Sequence, residues 1–70
     1  MMYKAYTQKD WNAEKFYIED EYGNEAIIEA ESEEEAKILF TDYIFDTSIY
    51  NREETEICIL ENPIFVVKGE

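Results

Sequence analysis

The sequence predicts a small α+β domain, one antiparallel sheet with one helix packed on one face, in the order βββαββ. Three observations point there. The chain has 70 residues, room for one core and one domain spanning 1–70. Its hydrophobic fraction of 46%, with 16% aromatic, is too high for an acidic tail that stays unfolded. Period-two segments flank a single strong helical stripe, the pattern of a sheet covered by a helix.

Tyr3–Gln8 is β-prone and stops at the polar cluster Lys9-Asp10-Trp11-Asn12, which predicts a first strand and then a loop. Lys15–Glu19 alternates, with Phe16 and Ile18 on one face and Lys15, Tyr17 and Glu19 on the other. Gly23-Asn24 provides the backbone freedom for a reversal, and Glu25–Glu31 reads as the returning strand of a hairpin. Ala26, Ile28 and Ala30 then face inward, and Glu25, Ile27, Glu29 and Glu31 outward.

Ser32 followed by Glu33, Glu34 and Glu35 is a capping box whose carboxylates sit where the helix dipole favours them. Ala36, Leu39, Phe40, Tyr43 and Ile44 form the apolar stripe of the helix that follows, which should end near Phe45–Thr47. Ile38, Phe45, Ile49 and Tyr50 lie off that stripe and predict a second apolar patch in need of a cover. Glu54–Leu60 is rich in β-branched residues and reads as a fourth strand. Asn62-Pro63 makes a turn, and Ile64–Lys68 is the last strand. Phe16, Phe40 and Phe65 are the expected aromatic core, and Cys58, in its apolar run, an expected buried small hydrophobe.

Charge narrows the function. Eighteen acids against six bases give a net −12, and residues 19–61 alone hold 15 acids against Lys37 and Arg52. Phosphate backbones and anionic lipids repel such a chain, so neither direct nucleic-acid binding nor membrane binding is expected, and the natural partner is basic. With one cysteine and no histidine, an internal disulfide, Cys/His zinc sites and histidine-based triads are excluded. Asp20, Glu21 and Asn24 crowd one turn, but their spacing is not that of a calcium loop. No enzyme activity, cofactor or metal is expected. The N-terminus opens no signal-like apolar run, so a cytoplasmic location is expected.

Alternate residues of a strand lie about 6.6–6.8 Å apart on one face. Glu25, Glu29 and Glu31 would make one carboxylate ladder, Glu54 and Glu56 a second, and Glu19 and Glu21 a third. Solubility accounts for any one of these acids. Their clustering repels, and surfaces ordinarily intersperse Lys, so the group suggests a binding role. A charge of −12 equals that of about 20 Å of duplex DNA, the scale of a small domain. The expected partner-binding set is Glu19, Asp20, Glu21, Tyr22, Glu25, Glu29, Glu31, Tyr50, Glu53, Glu54 and Glu56, with the two tyrosines as exposed aromatic contacts.

Small size, extreme acidity, no catalytic set, and the strand-to-capped-helix segment Ile27-Ile28-Glu29-Ala30-Glu31-Ser32-Glu33-Glu34-Glu35-Ala36-Lys37 together resemble the small inhibitors encoded by phages and mobile elements, anti-CRISPR proteins above all. The resemblance is one of type, carried by no shared motif. It implies inhibition by occupancy of a basic DNA- or RNA-binding groove, a Cas effector complex being the leading case, inside a bacterial host cell. The alternative is a non-catalytic interaction module or homodimer joined through Ile38, Phe45 and Ile49, in which acidity serves solubility.

Overall fold

The computed structural model describes residues 1–8 and 14–69. The polar cluster at Lys9-Asp10-Trp11-Asn12 lies outside the described residues. Six elements follow one another: β1 (Met2–Gln8), β2 (Lys15–Tyr17), β3 (Ile28–Glu29), α1 (Glu33–Thr47), α2 (Arg52–Glu61) and β4 (Ile64–Lys68). The architecture is α+β, a four-stranded antiparallel sheet with two helices.

β1 is the centre of the sheet. β4 pairs along one side of it from Tyr3↔Lys68 to Thr7↔Ile64. β2 and β3 share the other side, β2 opposite Tyr6–Gln8 and β3 opposite Met2 and Tyr3. From Tyr17 to Ile28 the chain advances eleven residues while β1 advances three, from Tyr6 to Tyr3. The surplus leaves the sheet as a loop closed by a bridge between Glu19 and Glu25. β2 and β3 thus form one interrupted edge, and the expected hairpin between Lys15–Glu19 and Glu25–Glu31 is reduced to that bridge and the bond from the Ala26 N–H to the Ile18 carbonyl (2.8 Å). At the tip Gly23 has φ +81°, the left-handed conformation that favours glycine.

Alternation along β1 sends Tyr3, Ala5 and Thr7 toward the helices and Met2, Lys4, Tyr6 and Gln8 to the open face. Tyr3, Ala5, Ala26, Ala30, Ala36, Phe40 and Ile64 are the buried core, with Leu39, Tyr43 and Ile44 of α1 packed against it. Four alanines let α1 approach the sheet closely, and Phe40 fills the space they leave. The helix begins at its expected cap, where the Glu35 N–H donates to Ser32 Oγ (3.2 Å), and it ends at Thr47.

Glu54–Leu60 departs from expectation: it is helical, within α2. Asn51 caps this helix, its Oδ1 accepting from the Glu54 N–H (2.8 Å) while its Nδ2 donates to Glu54 Oε1 (3.1 Å). Glu53 and Glu54 in the first turn suit the dipole, and these local terms outweigh the β preference of Ile57-Cys58-Ile59. A second helix therefore stands where the sequence pattern predicts a strand, and the sheet carries two helices rather than one.

α2 is lightly seated. Only Thr55 is buried on it. The Thr55 hydroxyl donates to the Asn51 carbonyl (2.9 Å), so the Ser48 hydroxyl must be the donor in the 2.8 Å contact between the two side chains. Cys58 is exposed rather than buried, because the recess it lines with Ile44, Ile59 and Ile64 is open to solvent. Phe16 and Phe65 also depart from expectation, at 44% and 47% exposed against 0% for Phe40. Both stand on strands at the sheet's edges, with one flank each left uncovered.

Candidate functional site

The fold sorts charge by layer. β1, β2 and β4 contain Lys4, Lys15 and Lys68 and no acid. The two helices carry Glu33, Glu34, Glu35, Asp42, Asp46, Glu53, Glu54, Glu56 and Glu61 against Lys37 and Arg52. Of the other described acids, Glu14 precedes β2 and the rest lie in the loop and edge segment from Glu19 to Glu31. The three carboxylate ladders expected on strands are therefore not formed: Glu54 and Glu56 are on a helix, Glu19 and Glu25 face each other across a bridge, and of the acids in these ladders only Glu29 belongs to a strand.

The loop is built to hold its acids outward. Asp20 Oδ1 accepts from the N–H groups of Tyr22 (2.9 Å) and Asn24 (3.0 Å), an Asx turn that fixes the tip. The Asp20 N–H donates to the Asn24 carbonyl (2.7 Å), and the Gly23 N–H returns to the Asp20 carbonyl (3.1 Å). Asp20 is thereby half-buried, while Glu19, Glu21 and Tyr22 project, Tyr22 being 81% exposed. The Tyr43 hydroxyl donates to the Glu19 carbonyl (3.3 Å) and ties the loop to α1. Glu25 is joined to Lys4 in an ion pair across the sheet edge. Glu29 and Glu31 are exposed beside it, with no base among their sequence neighbours.

The second group follows the C-terminal end of α1. Glu53, Glu54 and Glu56 are exposed on α2, and Tyr50, 58% exposed, precedes them. The Arg52 guanidinium lies 4.8 Å from the centre of the Phe45 ring, so one of the two helical cations is held on an aromatic face. Loop and α2 are thus two acidic groups joined through α1, the first by Tyr43 and the second by the Ser48–Thr55 and Arg52–Phe45 contacts. Among the described residues no three acidic or cysteine side chains converge as a cation site.

Sequence reasoning missed an aromatic ladder on the open face of the sheet. Tyr6 stacks on Phe65 at 5.5 Å between ring centres and meets Tyr17, tilted, at 5.6 Å, with Lys15 Nζ 4.9 Å from the Tyr6 ring. The register places Tyr17, Tyr6 and Phe65 on one rung. Only the alternation of β1 signalled it, since Tyr6 stands on the face opposite Tyr3 and Ala5. Of the apolar residues expected off the stripe of α1, Ile38 and Ile49 are 63% and 91% exposed and Tyr50 is exposed, whereas Phe45 is half-buried beside Arg52; Ile57 (55%) and Leu60 (76%) are exposed on α2 as well.

Compared with protein-family models, curated proteins and solved structures, the chain shows no match. No helix among the described residues is long and apolar enough to cross a membrane.

Proposed function

We propose that this chain is a non-catalytic, stoichiometric inhibitor whose acidic surface mimics nucleic acid and occupies the Lys/Arg-lined groove of a nucleic-acid-binding protein. One observation supports the proposal: 15 of the 16 described acids are exposed, and none of them lies on the lysine-bearing strands β1, β2 and β4. Surfaces selected for solubility mix signs, whereas segregation creates a directed field that steers a basic partner. The contact surface of this proposal is the loop Glu19–Glu25 with Glu29 and Glu31, extended by Glu53, Glu54 and Glu56 of α2. Tyr22 and Tyr50 supply aromatic contacts beside the two acidic groups. The resemblance to anti-CRISPR proteins makes a defence nuclease complex, a Cas effector above all, the target to test first.

The exposure of four large apolar side chains on and just before α2, Ile49, Tyr50, Ile57 and Leu60, favours a second proposal, an interaction module whose contact is apolar. Salt separates the two. Charge-driven capture weakens steeply as the Debye length falls from about 30 Å at 0.01 M to about 3 Å at 1 M, while apolar contact holds or tightens. The test is capture by the tagged protein from cells carrying a CRISPR system, washed at both salts, with bound proteins identified by mass spectrometry. Nucleic-acid-binding proteins retained at low salt and released at high salt are the expected result. Partners retained equally at both salts would overturn mimicry in favour of the apolar module.

A further inference from the structure

Among the described residues the outer edge of β4 is unpaired, and the strand itself carries a single charge, Lys68. Its orientation follows from the register: the Gly69 N–H donates to the Met2 carbonyl (2.9 Å), so Phe65, Val67 and Gly69 direct their backbone groups at β1. Ile64, Val66 and Lys68 must direct theirs outward, where among the described residues no strand pairs with them. A recess of about 350 Å³ lies at this edge, lined by Glu33, Glu34 and Lys37 of α1 and by Tyr6 of β1 and Ile64, Phe65 and Val66 of β4. The usual protections of an edge are lacking: no proline or bulge interrupts Ile64–Lys68, and its one charge is at the end.

We propose that this edge pairs with the same edge of a second copy, antiparallel about a two-fold axis at Val66, joining two sheets into one. Val66 then opposes its own counterpart, and Ile64 opposes Lys68 of the other copy, so all three outward residues fall in hydrogen-bonded pairs. The same register sets Phe65, half exposed in the single chain, beside Val67 of the other copy, extending the aromatic rung across the interface. Electrostatics fits a second copy. Lys68 of each chain lands opposite Ile64, where Glu33 and Glu34 of the other wall the recess, and these two acids outweigh Lys37 there. At long range two chains of −12 repel, and β4, with a lysine as its one charged residue, adds no acid to that repulsion where the copies meet.

Because the long-range repulsion is screened by salt, dimerisation strengthens with ionic strength, opposite to capture of a basic partner. Sedimentation equilibrium across a salt and concentration series, with hydrogen exchange on the same samples, tests this. The expected result is a doubling of mass favoured by salt, with the amides of Ile64, Val66 and Lys68 gaining protection only as dimer forms, while those of Phe65 and Val67 are protected throughout. Lys68→Glu, at an exposed site, abolishes the dimer, and adding Glu33→Lys and Glu34→Lys restores it. Val66→Pro removes an outward N–H without touching the bonds to β1 and should leave a monomer. A chain monomeric at all salts would overturn the proposal. So would a dimer indifferent to Lys68→Glu and lacking new protection at Val66, which would assign the contact to the apolar side of α2 instead.

Discussion

The three phenylalanines expected in the core should not be equivalent, and their truncation to alanine measures the difference. Phe40 is fully buried between α1 and the sheet, whereas Phe16 and Phe65 are 44% and 47% exposed. A buried Phe→Ala change costs about 3–5 kcal/mol, transfer and cavity terms together. Scaling by the roughly half-buried state of the other two gives about 1.5–2.5 kcal/mol each, an upper value because a cavity at the surface fills with water. A 70-residue domain at about 0.05–0.15 kcal/mol per residue has roughly 3.5–10 kcal/mol in total. Phe40→Ala therefore removes a third or more of the stability and can unfold the chain outright, while Phe16→Ala and Phe65→Ala leave it folded. Urea denaturation followed by circular dichroism reads all three. At about 4–8 °C per kcal/mol, melting should show the same ranking, with a gap of 10 °C or so between Phe40→Ala and the others. Equal losses at the three sites would refute the packing described, since they would require Phe16 and Phe65 to be inside. Phe40→Leu, which keeps much of the volume, should recover most of the loss.

Asn51→Ala removes both bonds that start α2 and should cost about 1 kcal/mol with a fall in helical ellipticity. Asn51→Asp keeps the acceptor and should be near neutral; a strand at Glu54–Leu60 would make both changes silent. Gly23→Ala should cost about 1 kcal/mol through the left-handed backbone alone, because a Cβ there meets nothing closer than 3.8 Å. Gly23→Asn should cost less, and thermal melts compare the two. Cys58 should react with a small thiol reagent in the folded protein at a rate near that of the unfolded chain, as its exposure requires. Protection of more than tenfold would show that α2 lies deeper than described.

The sequence pattern was legible where one local rule acted alone. Ser32 and its three glutamates fixed the start of α1, and the stripe from Ala36 to Ile44 fixed its buried side, because capping and period need no tertiary knowledge. Ala26, Ile28 and Ala30 faced inward as their alternation requires, although β3 itself is only two residues long. Failure came where two local signals competed. In residues 51–61 the cap of Asn51 and the acidic first turn oppose the β-branched run, and the cap and turn prevail. The same competition decides the site, since a strand there would align Glu54 and Glu56 in a ladder and the helix separates them. The aromatic rung of Tyr17, Tyr6 and Phe65 depends on which strands neighbour β1, a non-local fact no periodicity encodes. The candidate acids were all readable from composition, but their division between loop and helix was not.

The central claim is that exposed carboxylates stand in for phosphates, and direct competition tests it. A captured basic partner is loaded with labelled nucleic acid and titrated with this protein, beside Glu29→Lys/Glu31→Lys and Glu53→Lys/Glu56→Lys variants whose folding is checked by circular dichroism. The account predicts stoichiometric displacement of the nucleic acid at low salt, loss of most of the affinity on reversing Glu29 and Glu31, and failure of displacement as salt rises. Simultaneous binding of protein and nucleic acid, or displacement that ignores both charge reversals, would contradict it.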